Sequence, residues 1–166
     1  SVSIRNDEDS ILHFSKIYLE TMKFNGASRK YDFDAQFFTN NFTNLRDKIN
    51  LFVAELEGEI ISGSLFINDN DSIHYYFSGT KPNYRNFYPN NLIIWEAIKW
   101  AKSRQISNLN LGGGRSSSDS DSLFRFKKGF SDIVKDFYTI GLVYNKGMYS
   151  NLKERKKELL SEQEDK

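Results

Sequence analysis

At Ile49 the hydrophobic period of the chain switches from that of a helix to that of a strand, and the turns that follow are very short. Ile49–Leu56 is rich in Val, Phe and Leu. Glu57-Gly58-Glu59 separates it from Ile60–Ile67, and Asn68–Asp71 separates that run from Ser72–Ser78. Turn formers between short apolar runs read as strand boundaries. Connections this short join antiparallel neighbours, because a parallel return needs a crossover of a dozen or more residues. The three runs therefore predict an antiparallel meander, and the rest of the chain must pack on it.

Before the meander lie two helical patterns. Residues 8–24 place Ile11, Phe14, Tyr18 and Met22 on one stripe, with Asp7–Asp9 at the favourable N-terminal end. Residues 34–47 place Phe38, Phe42 and Leu45 on one face, with Asp34 as cap. After the meander, Gly79–Asn91 reads as a loop that holds both prolines, Pro82 and Pro89. Leu92–Arg104 predicts a helix with a stripe of Ile94, Trp95, Ile98 and Ala101, capped by Asn90 or Asn91. Leu109–Leu111 reads as a short strand, and 123–130 as a short helix capped by Asp121 or Ser122. Asp136–Tyr144 alternates and predicts a last strand; Met148–Leu160 predicts a last helix running into the charged tail Ser161–Lys166. A meander followed by β-α-β units gives a mixed α/β sheet with helices on both faces.

Composition narrows the function classes. The 166 residues suit one domain. It is expected over 1–150, with 151–166 as the end of the last helix and the tail. A net charge of +1 excludes a uniformly basic nucleic-acid binder but not a local patch. The charge is uneven, with 7 basic and 10 acidic residues over 1–60 against 16 and 12 beyond. Without cysteine there is no disulfide framework and no thiolate zinc site, and two histidines cannot build a His-rich metal centre. No apolar run approaches the ~20 residues needed to span a bilayer. Asp7, Glu8 and Asp9 occupy the place of a signal peptide's apolar core. The chain is expected to be soluble and cytoplasmic. Starting at Ser1 and entering a helix pattern almost at once, it is also expected to be part of a larger protein.

The most unusual local sequence is Leu123-Phe-Arg-Phe-Lys-Lys-Gly-Phe130. At helical spacing Leu123, Phe126 and Phe130 share a face, and Lys127 sits beside it. A lysine held against an aromatic wall interacts strongly with anions and can stabilise an oxyanion or grip a phosphate. The same spacing also reads as an amphipathic helix with ordinary surface lysines. Gly112, Gly113 and Gly114 follow a strand directly and can expose backbone amides to a ligand, or simply form a flexible turn. Neither the Walker nor the dinucleotide spacing is present. On the third strand, strict alternation puts Ile73, Tyr75 and Phe77 on one face and His74, Tyr76 and Ser78 on the other. His74 is a candidate general base or a packed histidine. Thr80–Asn91 contains no glycine and offers Arg85 and Asn90 instead. Arg125 and Lys128 complete the candidate phosphate-binding residues.

Taken in order, Ile73–Thr80, Tyr84-Arg85, Pro89–Leu92, Trp95–Ile98, Trp100-Ala101, Leu111–Gly114, Leu123–Phe130, Tyr138 and Tyr149 resemble the Fem-type peptidoglycan aminoacyltransferases and their GNAT-like cousins. Thr21-Met22 through Tyr31 and Phe37-Phe38 resemble that family's earlier helices. The resemblance implies a GNAT-like fold and a tandem architecture in which this chain is similar to the second domain. The N-terminal GNAT-like domain would be missing. It implies transfer of an amino acid from aminoacyl-tRNA to an amine of a peptidoglycan precursor. Phe126 and Lys127 would serve catalysis and the aminoacyl end. Part of the acceptor site would lie in the absent domain, so the chain alone need not be active. The absence of a glycine loop fits a donor other than CoA. Two alternatives stay open: an N-acetyltransferase using acetyl-CoA on an amino sugar or other envelope amine, and a non-catalytic domain that docks tRNA or a precursor.

Overall fold

A computed structural model describes residues Ser1–Glu164. The chain divides into two units, Ser1–Phe130 and Ser131 onward, where the sequence pattern suggests one domain to residue 150.

In the first unit a short strand, β1 (Val2–Ile4), precedes helix α1 (Glu8–Phe24). Asp7 caps α1, its carboxylate accepting from the Ser10 amide at 2.9 Å. Helix α2 (Ala35–Leu45) is capped in the same way by Asp34. The meander follows as β2 (Ile49–Leu56), β3 (Glu59–Asp69) and β4 (Ser72–Thr80). A 3-10 turn at Pro82–Phe87 leads into α3 (Pro89–Ser103), then β5 (Asn108–Asn110) and α4 (Ser122–Lys128). The five strands form one sheet in the order β1-β2-β3-β4-β5. The first four pair antiparallel and β5 pairs parallel to β4. Thus α3 is the crossover of a single β-α-β unit.

Alternation along β2 divides the apolar residues between two cores. Ile49, Leu51 and Val53 join Leu65 beneath α1 and α2, against Ile11, Phe14, Ile17, Tyr18 and Phe38. Phe52 and Ala54 face the other way, with Phe66, Ile73 and the α3 residues Ile93, Ala97 and Ala101. The α3 stripe differs from the sequence expectation because the helix begins at Pro89. Ile93 and Ala97 are buried, whereas Trp95 is 55% exposed. Strand β1 was not legible in the sequence; three residues are too few to show a period.

Strict alternation also fails in β4, for a definite reason. Leu65 pairs with Phe77 and Phe66 pairs with Tyr75, so Tyr76 is the extra residue of a β-bulge. The bulge changes the phase of the strand. Tyr75 packs on the α3 side and Phe77 on the α1–α2 side, against Tyr18, Phe33, Phe37 and Phe38.

In the second unit, the strand expected over Asp136–Tyr144 is absent; residues 131–145 form neither helix nor strand. Alternation describes a strand's side chains, but a strand exists only where a ladder partner satisfies its backbone. This unit contains no other extended segment of regular structure to pair with, among the described residues. Helix α5 spans Lys146–Glu164. The tail expected over Ser161–Lys166 is thus helical to Glu164, and Asp165 and Lys166 lie outside the described residues.

Candidate functional site

The C-terminal half of β4, the start of α3 and helix α4 surround a cleft of about 290 Å³ within the first unit. Tyr75, Ser78, Arg85, Asn90, Arg115 and Phe126 are among its lining residues. No carboxylate lines it among the described residues, so two arginines set its electrostatic sign.

Tyr75 keeps the face of Ile73 by alternation, the bulge at Tyr76 brings Ser78 to that same face, and Asn90 holds Tyr75 in the cleft. The Asn90 Nδ2 donates to the Tyr75 hydroxyl at 2.7 Å, and the Asn90 Oδ1 accepts from the Ser64 hydroxyl at 2.8 Å. Burial pushes the Tyr75 phenol above its ordinary pKa, outweighing the opposing hydrogen bonds with Ser78, Asn90 and Ser64. The ring of Tyr75 in turn faces Lys127, whose Nζ lies 5.6 Å from the ring centroid. That ammonium also donates to the Gly113 carbonyl at 2.8 Å. Burial depresses the Lys127 pKa, and the negative charge of Asp121 partly opposes the shift.

Asp121 organises the approach to α4. One of its carboxylate oxygens accepts from the amides of Leu123 and Phe124, both at 2.9 Å. The other accepts from the amides of Arg115 and Ser116, at 3.1 and 3.2 Å. The Phe124 amide is the largest cause of a carboxyl pKa held below the usual range, and the other three amides add to it. The glycines make this closure possible. Gly112 has φ of 70°, and its amide donates to the Asn110 side chain at 2.8 Å. A Cβ at Gly114 would lie 2.6 Å from an Asp121 carboxylate oxygen and 3.0 Å from the Phe124 Cβ.

The structure brings Arg85, Asn90 and Phe126 together around the cleft, with Lys127 and Gly113 adjoining through Tyr75. Asn90 is not the α3 cap: Tyr88 holds that position, Pro89 opens the helix, and the Asn90 amide is spent on Ser64 and Tyr75. His74 pairs with Ile67, which belongs to the α1–α2 core, so it lies on the sheet face opposite Tyr75 and away from Lys127. Its place on the far face removes it as the base of this site. Arg125 and Lys128 are exposed on α4 and do not line the cleft. Tyr75, Ser64, Arg115 and Asp121 are the site residues that spacing did not single out. Arg115 directly follows the glycines, and Asp121 was legible only as a helix cap. Tyr75 shares Ile73's face by alternation, but its place in the site depends on Asn90 of α3, which local sequence does not announce.

The structure is similar to solved structures of GNAT acetyltransferases and of FemX. The crystal structure of FemX superposes with a TM-score of 0.65 at 14% identity, over 78% of this chain and 49% of FemX. An aminoglycoside acetyltransferase from an uncultured soil metagenomic sample, solved with sisomicin, gives 0.64 at 11% identity over 87% of this chain and 96% of its own. The PaiA N-acetyltransferase of Thermoplasma acidophilum, solved with coenzyme A, gives 0.61 at 17% identity over 85% and 94%. At these identities the likeness establishes the GNAT fold. In sequence, the chain is 33% identical over 90 residues to the UDP-N-acetylmuramoylpentapeptide-lysine N(6)-alanyltransferase of Weissella viridescens, matching 54% of this chain and 26% of that protein. It is 29% identical over 86 residues to the lipid II:glycine glycyltransferase of Staphylococcus epidermidis, matching 49% of this chain and 21% of that protein. The chain therefore spans about half the length of FemX and aligns with about a quarter of these curated relatives. The profile of the FemAB family matches residues 27–143, well over half of the sequence and every element from α2 to α4, and the chain belongs to that family.

Proposed function

We propose that this chain is an aminoacyl-transferring domain that moves an amino acid from aminoacyl-tRNA to an amine of a peptidoglycan precursor. The observation that carries the reading is Lys127, a partly buried ammonium held between the Tyr75 ring and the Gly113 carbonyl, with Phe126 lining an acid-free cleft alongside. Membership of the FemAB family and relatives named as an alanyltransferase and a glycyltransferase support it.

In this reaction the acceptor amine attacks the ester carbonyl of the donor. A carbon–nitrogen bond forms, the carbon–oxygen bond to the ribose breaks, and the amine's proton ends on the ribose oxygen. Negative charge builds on the carbonyl oxygen in between. Lys127 spends one of its three N–H donors on Gly113, which leaves two for that oxyanion. Phe126 walls the terminal adenosine, and Arg85 and Arg115 hold phosphates. With His74 on the far face of the sheet, substrate groups carry the proton. The acceptor site is completed by a further domain of the same fold, and the reaction takes place on the cytoplasmic side. No helix among the described residues is long and apolar enough to cross a membrane.

The test is Lys127→Ala in the whole protein, with a radiolabelled aminoacyl-tRNA and a lysine-containing precursor. Transfer is abolished while the melting temperature stays within a few degrees. Unchanged turnover would remove Lys127 from this role. Saturable binding of acetyl-CoA without any response to aminoacyl-tRNA would identify an acetyltransferase instead.

A further inference from the structure

The Lys127 ammonium ends a long flexible stem, yet two groups far apart in sequence hold it. The Gly113 carbonyl accepts from it at 2.8 Å, and the Tyr75 ring centroid lies 5.6 Å from its nitrogen. The carbonyl sits in a turn fixed by Gly112, at φ of 70°, whose amide donates to the Asn110 side chain. The ring is fixed from its hydroxyl end. Asn90 Nδ2 donates to the Tyr75 oxygen at 2.7 Å, and Asn90 Oδ1 accepts from the fully buried Ser64 hydroxyl at 2.8 Å. Packing alone does not need that bond, because Tyr75 already rests on Phe66, with centroids 5.5 Å apart. What the bond adds is direction. It keeps the face of the ring, where the π system carries its negative charge, towards the ammonium. Burial works against that charge, and Asp121 ahead of α4 favours it. The other charged groups nearby are cations: Arg85 and Arg115 line the cleft, and Arg125 and Lys128 stand exposed on α4. Tyr75 itself stays neutral, its phenol pushed up by burial.

We infer that Tyr75 is a positioning residue for the transfer reaction: its ring face holds the Lys127 ammonium beside the developing oxyanion, and Asn90 holds the ring. The inference rests on the reading above, in which Lys127 meets that oxyanion as a cation. Tyr75 acts through Lys127 and not on a reacting atom. A cation on a partly desolvated ring face gains up to ~2 kcal/mol, which corresponds to roughly tenfold or more in rate if the contact is needed in the transition state. Packing would be served by any apolar side chain of this bulk; only the π face serves the ammonium.

The test is the transfer assay in the whole protein, by rapid quench at saturating radiolabelled aminoacyl-tRNA and precursor, from neutral into alkaline pH. Tyr75→Leu lowers kcat about tenfold and leaves KM for the donor within about twofold. Its alkaline limb moves about one pH unit lower, because losing the ring face removes support for the charged amine while the site stays dry. Tyr75→Phe keeps the face, loses the anchor and recovers kcat to within about threefold of wild type. Asn90→Ala removes the same anchoring bond, so the double variant Asn90→Ala with Tyr75→Phe turns over no more slowly than the slower single variant. Trifluorophenylalanine at position 75 has the shape of phenylalanine but not its negative face; its kcat falls about threefold below that of Tyr75→Phe at an equal melting temperature. That comparison decides the matter where Tyr75→Leu does not fold. Equal rates for those two rings overturn the inference, as does a Tyr75→Leu protein that melts lower but keeps the wild-type kcat and alkaline limb. Lys127→Ala, run alongside, separates the two readings. If Lys127→Ala is inactive while Tyr75→Leu behaves as wild type, the positioning role alone is overturned. If Lys127→Ala is active, the role of Lys127 and this inference are overturned together.

Discussion

Truncating Phe77 to alanine tests the bulge that puts it on the sheet face opposite Tyr75. Phe77 is partly buried, and its ring centroid lies 5.3 to 5.7 Å from those of Phe33, Tyr18, Phe38 and Phe37, all edge-on. Removing such a ring costs ~3–5 kcal/mol in a closed core. The partial exposure of Phe77 places it near the lower end, about 3 kcal/mol, or roughly 6–12 °C in melting temperature for a chain of this size. Tyr76 is 43% exposed and its one aromatic neighbour among the described residues is Phe77, so Tyr76→Ala costs under about 1 kcal/mol. The decisive measurement is a pair of double-mutant cycles by urea denaturation. Phe77 and Phe38 share a core, so Phe77→Ala and Phe38→Ala couple by about 1 kcal/mol or more. Phe66 lies on the other face, so Phe77→Ala and Phe66→Ala add. Strict alternation, with Phe77 on Tyr75's face, gives the reverse pattern. Coupling to Phe66 and additivity with Phe38 would refute the bulge, and with it the placement of Ser78 beside Tyr75 in the cleft.

Two further substitutions probe the site. Gly114→Ala drives a methyl group into the Asp121 carboxylate and Phe124, so it displaces α4 and Lys127; transfer falls at least tenfold in an aminoacyl-transfer assay, and wild-type activity would show that α4 position is immaterial. Asn90→Ala strips an acceptor from the fully buried Ser64 hydroxyl and a donor from Tyr75, costing about 1 kcal/mol. Adding Ser64→Ala recovers part of that cost by thermal melting, whereas strictly additive losses would mean that the two side chains do not share a bond.

The local parts of this protein were legible in its sequence. The switch of period at Ile49, the short turns at Glu57–Glu59 and Asn68–Asp71, and the caps Asp7 and Asp34 are short-range chemistry, and β2 has the bounds its apolar run predicts. The segment Phe126-Lys127 was also visible, because alternating aromatics and cations are rare within eight residues. What tertiary structure decided is which residues meet. Asn90 looks like a helix cap until Ser64 and Tyr75, far away in sequence, claim its amide. His74 and Tyr75 are neighbours in sequence, yet the sheet places them on opposite faces, and one bulged residue then puts Phe77 on His74's side. Asp136–Tyr144 has the alternation of a strand but not the ladder that makes one. Periods and caps follow from interactions within a few residues. Register, bulges and strand existence depend on backbone hydrogen bonds to distant segments, and those are settled only when the chain is folded.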